Sequence, residues 1–133
     1  MLEGSVSQQV QMEIARLGGL PQRNNVGACV DSTGRAVRYG LMNVSKRQNE
    51  MIKSSDIIAP VPITIMPEMV GQTIGVYCAF ETKHSDWHMT AGDTHAQAQA
   101  EYHRVVRLHG GRAGFVTCVA DVQRIILTGV GAW

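Results

Sequence analysis

With 133 residues, 44% of them hydrophobic, and no run of 18 apolar positions, the chain can build one domain with its own core and excludes a membrane-spanning helix. Its three cysteines, Cys29, Cys78 and Cys118, are odd in number and far apart in apolar runs, which argues against a disulfide framework or a CxxC metal site and for reduced core thiols. Met1-Leu-Glu-Gly-Ser has neither a basic region nor an apolar core, so no secretory signal and a cytoplasmic location are expected.

The formal net charge is +1, unevenly spread. Residues 23–53 hold Arg23, Arg35, Arg38, Lys46, Arg47 and Lys53 against Asp31 and Glu50; residues 54–92 hold Asp56, Glu68, Glu81 and Asp86 against Lys83. A basic segment beside an acidic one suits an enzyme that grips a polyanion and holds a cation, although two solvated faces would look the same.

Residues 5–17 place Val6, Val10, Ile14 and Leu17 at helical spacing, with Ser5 or Ser7 as cap and Gly18-Gly19 as stop, and with Glu13 the one acid on the polar side. Residues 26–41 read as a β-hairpin about the turn Asp31-Ser-Thr-Gly34. Residues 43–55 are polar and lack alternation, which predicts a loop with at most one helical turn. Asp56 then opens the apolar run 57–63, whose prolines predict an irregular or edge strand interrupted near Pro60.

The run 73–83, TIGVYCAFETK, predicts a strand buried on both faces that ends abruptly in charge. Alternation puts Glu81 and Lys83 on one side, with Thr82 on the other. A carboxylate can hold a hard divalent cation and an ammonium beside it can steady an anionic nucleophile or leaving group; the plainer alternative is a strand-end ion pair.

Beyond a polar loop, Thr94-x-x-Gln97 matches a capping box. Ala98, Tyr102, Val105, Val106 and His109 mark the buried side of the helix that follows, which stops at Gly110-Gly111. Gln99 lies on or beside that side, where a polar group needs a partner. Residues 113–119 predict a further strand, and Asp121 a cap for a last helix over 122–127. The order predicts one α/β domain over 1–133, with a mixed sheet flanked by helices and a hairpin near the N-terminus.

Taken in order, RNNVGACVDSTGRAVRYGL, KSSDIIAPVPI, GVYCAFETK and AQAQAEY with GGRAGFV resemble the VRR-NUC family of the PD-(D/E)xK nuclease superfamily, in its short stand-alone phage or prophage form. The resemblance implies a restriction-endonuclease-like core and Mg²⁺- or Mn²⁺-dependent hydrolysis of DNA phosphodiesters, with branched DNA such as four-way junctions as substrate. Ser55-Asp56 matches the PD half of the motif, Glu81-Thr82-Lys83 the (D/E)xK half, and Gln99 the glutamine of the following helix. Asp56, Glu81 and the Thr82 carbonyl would then be the metal's oxygen ligands, and Lys83 would orient or deprotonate water. Many members carry a metal-binding glutamate on the first helix; the corresponding region here reads SQQVQME, so either Glu13 or a glutamine holds that position.

Arg23, Arg38, Lys46, Arg47 and Lys53 are the candidates for DNA backbone contacts, and a domain this small invites a homodimer to grip two duplex arms. Two other classes remain in view. A non-catalytic nucleic-acid-binding module on the same fold would hold DNA without metal and leave it intact. A zinc site through His84-x-x-x-His88 lacks a third ligand at a recognisable spacing.

Overall fold

The computed structural model describes residues 2–133 and shows a mixed α/β chain of four helices and six short strands. The strands form three two-stranded ladders rather than one mixed sheet. Two compact units can be distinguished, the first running through Leu17 and then Pro21–Ala59, the second comprising Gly18–Leu20 and Pro60–Trp133.

In the first unit, helix α1 spans Glu3–Arg16 with Leu2 at its N-cap and no side-chain cap, so Ser5 and Ser7 lie inside the helix. None of its residues is buried: the Val6, Val10 and Leu17 stripe is helically spaced as expected but covers no core. Strand β1 (Gln22–Arg23) pairs antiparallel with β4 (Ile57–Ile58). Strands β2 (Gly27–Val30) and β3 (Ala36–Tyr39) form the expected hairpin, with Gly27 opposite Tyr39 and Val30 opposite Ala36.

The hairpin turn is organised by one carboxylate. Asp31 Oδ1 accepts from Thr33 Oγ1 at 2.6 Å, Thr33 N at 2.9 Å and Arg35 N at 2.9 Å, and these donors, the Thr33 hydroxyl first, hold the carboxyl below its ordinary range. Gly34 supplies the positive φ, 83°, that closes the turn. At the open end, buried Asn43 donates to the carbonyls of Gly27 (2.7 Å) and Tyr39 (2.8 Å) while its Oδ1 accepts from Arg38. The segment expected as a loop with at most one helical turn contains the six-residue helix α2, Lys46–Met51. Ser45 caps it, Oγ accepting from Gln48 N at 3.1 Å, and Gln48 Oε1 accepts from Val44 N, one residue before the cap, at 2.8 Å.

The second unit is built on β5 (Cys78–Thr82) and β6 (Arg112–Val116), parallel, with Glu81 opposite Phe115 and Thr82 opposite Val116. Helices α3 (Thr94–Leu108) and α4 (Val119–Thr128) pack on β6. The core lies there: Ala96, Val106, Ala113, Phe115 and Ile125 are wholly buried. Gly114 is required by that packing, since a Cβ would come within 2.9 Å of both Ile125 Cδ1 and the Gly131 backbone nitrogen.

The strand expected over 73–83 is a ladder only from Cys78 to Thr82; it is an edge strand with a single neighbour, and it is not buried on both faces, since Phe80 is 40% exposed. The most buried strand is β6. Residues 61–65 and 73–76 are joined by a 3₁₀ turn at Pro67–Met69, make no backbone–backbone hydrogen bonds among the described residues, and leave Val61, Ile63, Ile65, Ile74 and Val76 exposed. Cys29 and Cys118 are exposed rather than core, Cys78 is half-buried, and all three are free thiols. Asp93, not Thr94, caps α3, its carboxylate accepting from Ala96 N at 2.9 Å. Helix α4 begins three residues before the expected 122, and Asp121 in its first turn reaches back to Thr117 N and Oγ1. Among the described residues no helix is long and apolar enough to cross a membrane.

Candidate active site

The charged end of β5 meets α3. Lys83 follows the strand directly, and its N–H still donates to the Val116 carbonyl at 2.9 Å, so the backbone is held in line with β6. Its side chain runs to Gln99 of α3, Nζ donating to Oε1 at 2.9 Å. The ammonium also stands 5.4 Å from the centre of the Trp87 ring and 5.6 Å from that of Phe115, a second attraction that holds it in place.

Glu81, two residues back on the same side of the strand, is half-buried. Among the described residues its carboxylate makes no hydrogen bond or ion pair, but its charge is felt by His103. Gln99 and His103 are one helical turn apart on α3, so the pairings Lys83 with Gln99 and Glu81 with His103 put both charges of the motif against one helix face.

His103 is buried and edge-on to Phe115 at 4.8 Å. Burial holds its imidazole below the ordinary value, the Arg107 charge adds to that, and Glu81 opposes it. The helical pattern pointed instead to Ala98, Tyr102, Val105, Val106 and His109 as the buried side; the residues actually buried are Ala96, His103 and Val106. The spacing 96, 99, 103, 106 carries that signal, and polar residues at two of the four positions obscured it.

In the other unit, Asp56 stands just before β4 on a backbone clamped by Asn24. Asn24 N donates to the Asp56 carbonyl at 2.8 Å, and its Nδ2 donates to Ser54 Oγ at 2.7 Å and to the Ser55 carbonyl at 2.9 Å. Asn24 Oδ1 accepts from Leu41 N at 3.1 Å, and Ser54 Oγ donates to the Leu41 carbonyl at 2.8 Å. The Asp56 side chain is exposed and borders two clefts of about 620 and 630 Å³. The first also holds Glu3, Gln11 and Arg23, and the second holds Arg38, Asn49 and Lys53.

Three of the five bases expected to meet DNA therefore flank Asp56. Lys46 and Arg47 lie on exposed α2, where Lys46 is 3.8 Å from Glu50. Glu13 lies outside the Asp56 cleft: it is exposed and doubly bonded to Arg16, whose guanidinium holds its carboxyl below the ordinary range. Glu3 is the α1 acid that borders the cleft, in a stripe with Ser7 and Gln11. A helix start placed at residue 5 hid it; the i, i+4, i+8 spacing would have revealed it.

Among the described residues no group of three or more histidine, cysteine, aspartate or glutamate side chains is placed to hold a metal ion. The donors named from the motif, two carboxylates and the Thr82 carbonyl, are hard oxygens of the kind Mg²⁺ and Mn²⁺ take, and Glu81 is uncommitted to any protein cation. Comparison with known proteins gives no match to this chain among family models, curated proteins or solved structures.

Proposed function

We propose that this protein is a metal-dependent, structure-selective DNA endonuclease acting on branched DNA, with four-way junctions as its substrate class. The observation that carries the reading is the Lys83–Gln99 hydrogen bond at 2.9 Å beside Glu81. The lysine and glutamine that the motif resemblance pairs as functional residues are sixteen positions apart in sequence, and they are bonded to each other. Within this reading, β5, α3 and β6 are the part of a restriction-endonuclease-like core that carries Glu81-Thr82-Lys83 and Gln99.

In the second unit, Glu81 and the Thr82 carbonyl would hold Mg²⁺ or Mn²⁺, which when bound lowers the pKa of water and screens phosphate charge; Asp56 is the remaining metal-binding carboxylate that the motif resemblance implies. The remaining work falls to the chain's own residues. Lys83, oriented by Gln99, steadies the attacking water and the negative charge that grows on the phosphate. Arg23, Arg38 and Lys53 border the clefts at Asp56 and would hold the phosphate backbone without reading sequence. Arg38 is already oriented by Asn43, and Lys53 by Asn49. Lys46 and Arg47 on α2 would extend the basic track.

A homodimer, in the cytoplasm of a bacterial host and of phage or prophage origin, completes the proposal. The exposed apolar limbs 61–65 and 73–76, with backbone groups unpaired by other backbone, support self-association. Light scattering at micromolar concentration should give twice the chain mass, and a monomer would remove this part.

The deciding experiment is cleavage of a labelled four-way junction and its matched linear duplex with Mg²⁺, Mn²⁺ or EDTA, with Lys83→Ala beside the native protein. Metal-dependent nicks near the branch, absent from the variant, are expected. Tight binding with no cut under any metal would leave a non-catalytic binding module in its place.

A further inference from the structure

The site's aromatic floor continues outward to a ring that the proposed chemistry does not use. Phe115 is wholly buried, Trp87 is half-buried against it at 4.6 Å between centroids, and Trp133 meets Trp87 at 5.2 Å and is itself 40% exposed. The placement of Trp133 is set by the chain before it. Ala113 N donates to the Gly129 carbonyl at 3.3 Å, Ala113 and Val130 form a parallel bridge, and Gly131 lies close against Gly114 and Phe115. These contacts with β6 seat the outer indole against Trp87, the ring that the Lys83 ammonium approaches from within the site.

The planes of Trp87 and Trp133 stand at 72°, so the two rings do not stack. Whichever ring presents its edge, at least one face of Trp133 is unused by Trp87, and the residue as a whole is 40% exposed. The Lys83 ammonium lies 5.4 Å from the same Trp87 ring. A flat apolar face one ring away from a fixed cation is a combination that can bind a nucleotide, the base on the outer ring and the phosphate towards the charge. A base paired within a continuous duplex offers no free face; a base unpaired at a branch or in a single strand does.

We propose that Trp133 is a stacking platform for an unpaired nucleobase of the DNA strand whose phosphate lies at Lys83, and so selects strands with unpaired bases over intact duplex. This deepens the DNA reading above and rests on it, but binding can be tested apart from cleavage.

Trp87 and Trp133 are the two tryptophans of the chain, so intrinsic fluorescence reports the site directly. The titration is run in EDTA with native protein, Trp133→Leu and Trp133→Phe, against single-stranded dA12, a blunt twelve-pair duplex and dAMP, with anisotropy of labelled dA12 in parallel. The single strand should quench the native protein and the duplex should not. Trp133→Leu should lose the quench and bind the strand roughly 5- to 150-fold more weakly, as loss of one base-stacking contact would give. Trp133→Phe should recover most of that affinity, and circular dichroism of both variants should match native.

Equal quenching by strand and duplex, or Trp133→Leu binding dA12 as tightly as native, would overturn the proposal. Equal affinity for dAMP and dA12 would overturn the assignment to a DNA strand. A protein that quenches as expected yet never cuts a junction with metal would retain the platform and lose the nuclease reading.

Discussion

Replacing Gln99 by leucine isolates the contact on which the functional reading depends. The substitution keeps comparable bulk on α3 and removes the single hydrogen-bond acceptor that holds Lys83 Nζ. A hydrogen bond to a charged group contributes about 1.5–3 kcal/mol when buried. Both partners here are only half-buried, which brings the expected loss to about 1–1.5 kcal/mol, because water can replace the lost acceptor. The rings of Trp87 and Phe115 remain within 5.6 Å of the ammonium and keep it near its place. Gln99→Leu should therefore slow single-turnover cleavage of a four-way junction roughly 5- to 12-fold with Mg²⁺ present, with junction affinity in EDTA unchanged. Lys83→Ala should cost about 100-fold or more. If Gln99→Leu cleaves within twofold of native while Lys83→Ala is inactive, Gln99 does not position the lysine and the hydrogen bond is structural.

Three further outcomes follow from the geometry. Phe115→Ala empties a fully buried site that supports Trp87, His103 and the Lys83 head group, and should destabilise the second unit by about 3–5 kcal/mol in urea unfolding followed by Trp fluorescence; a loss under 1.5 kcal/mol would mean that the site collapses freely. Asn24→Ala removes three side-chain hydrogen bonds that fix residues 54–55 and Leu41, and should cost about 1–2 kcal/mol and speed amide exchange at Leu41, with unchanged exchange counting against the clamp. His103 is held below its ordinary value of 6.5 by burial, so the unfolded chain takes up its proton first as pH falls. Its contribution to stability is complete above about pH 6.5 and is lost below that, and melting temperature should drop between pH 7 and 5, less so in His103→Gln. An equal drop in the variant would assign the effect to other groups.

The hairpin 26–41, the helix before Gly18 and the helix-strand pairing after residue 94 were all legible, because each depends on signals within a few residues: Asp31-Ser-Thr-Gly34, a 3.6-residue apolar period, glycine stops. Burial was the part that could not be read locally. The stripe on α1 has helical spacing whether or not anything covers it, and the run 73–83 is apolar whether it lies in a sheet or beside one. The Ser45 cap is a local signal, but with no apolar periodicity behind it the segment reads as a loop with at most one helical turn. The face of α3 has the same origin: Ala98, Tyr102 and His109 have the period of a buried side, yet alongside Val106 it is Ala96 and His103 that are covered.

The cluster at Lys83 shows how a site can be legible when its surroundings are not. Residues 81 and 83 share a side by strand alternation, and 99 and 103 share a face by helical turn; both follow from backbone geometry alone. What sequence could not supply was which of the pairs would meet. The structure joins Lys83 to Gln99 and leaves Glu81 acting on His103 through charge, without a hydrogen bond. An acid that served merely to neutralise Lys83 would be expected to bond to it. Instead the lysine is satisfied by a neutral amide and two rings, and the half-buried carboxylate is left uncommitted beside it. That division, a restrained cation next to an unbonded anion, is what the proposed nuclease site would need, with a divalent cation at Glu81 and a phosphate at Lys83 as the counter-charges.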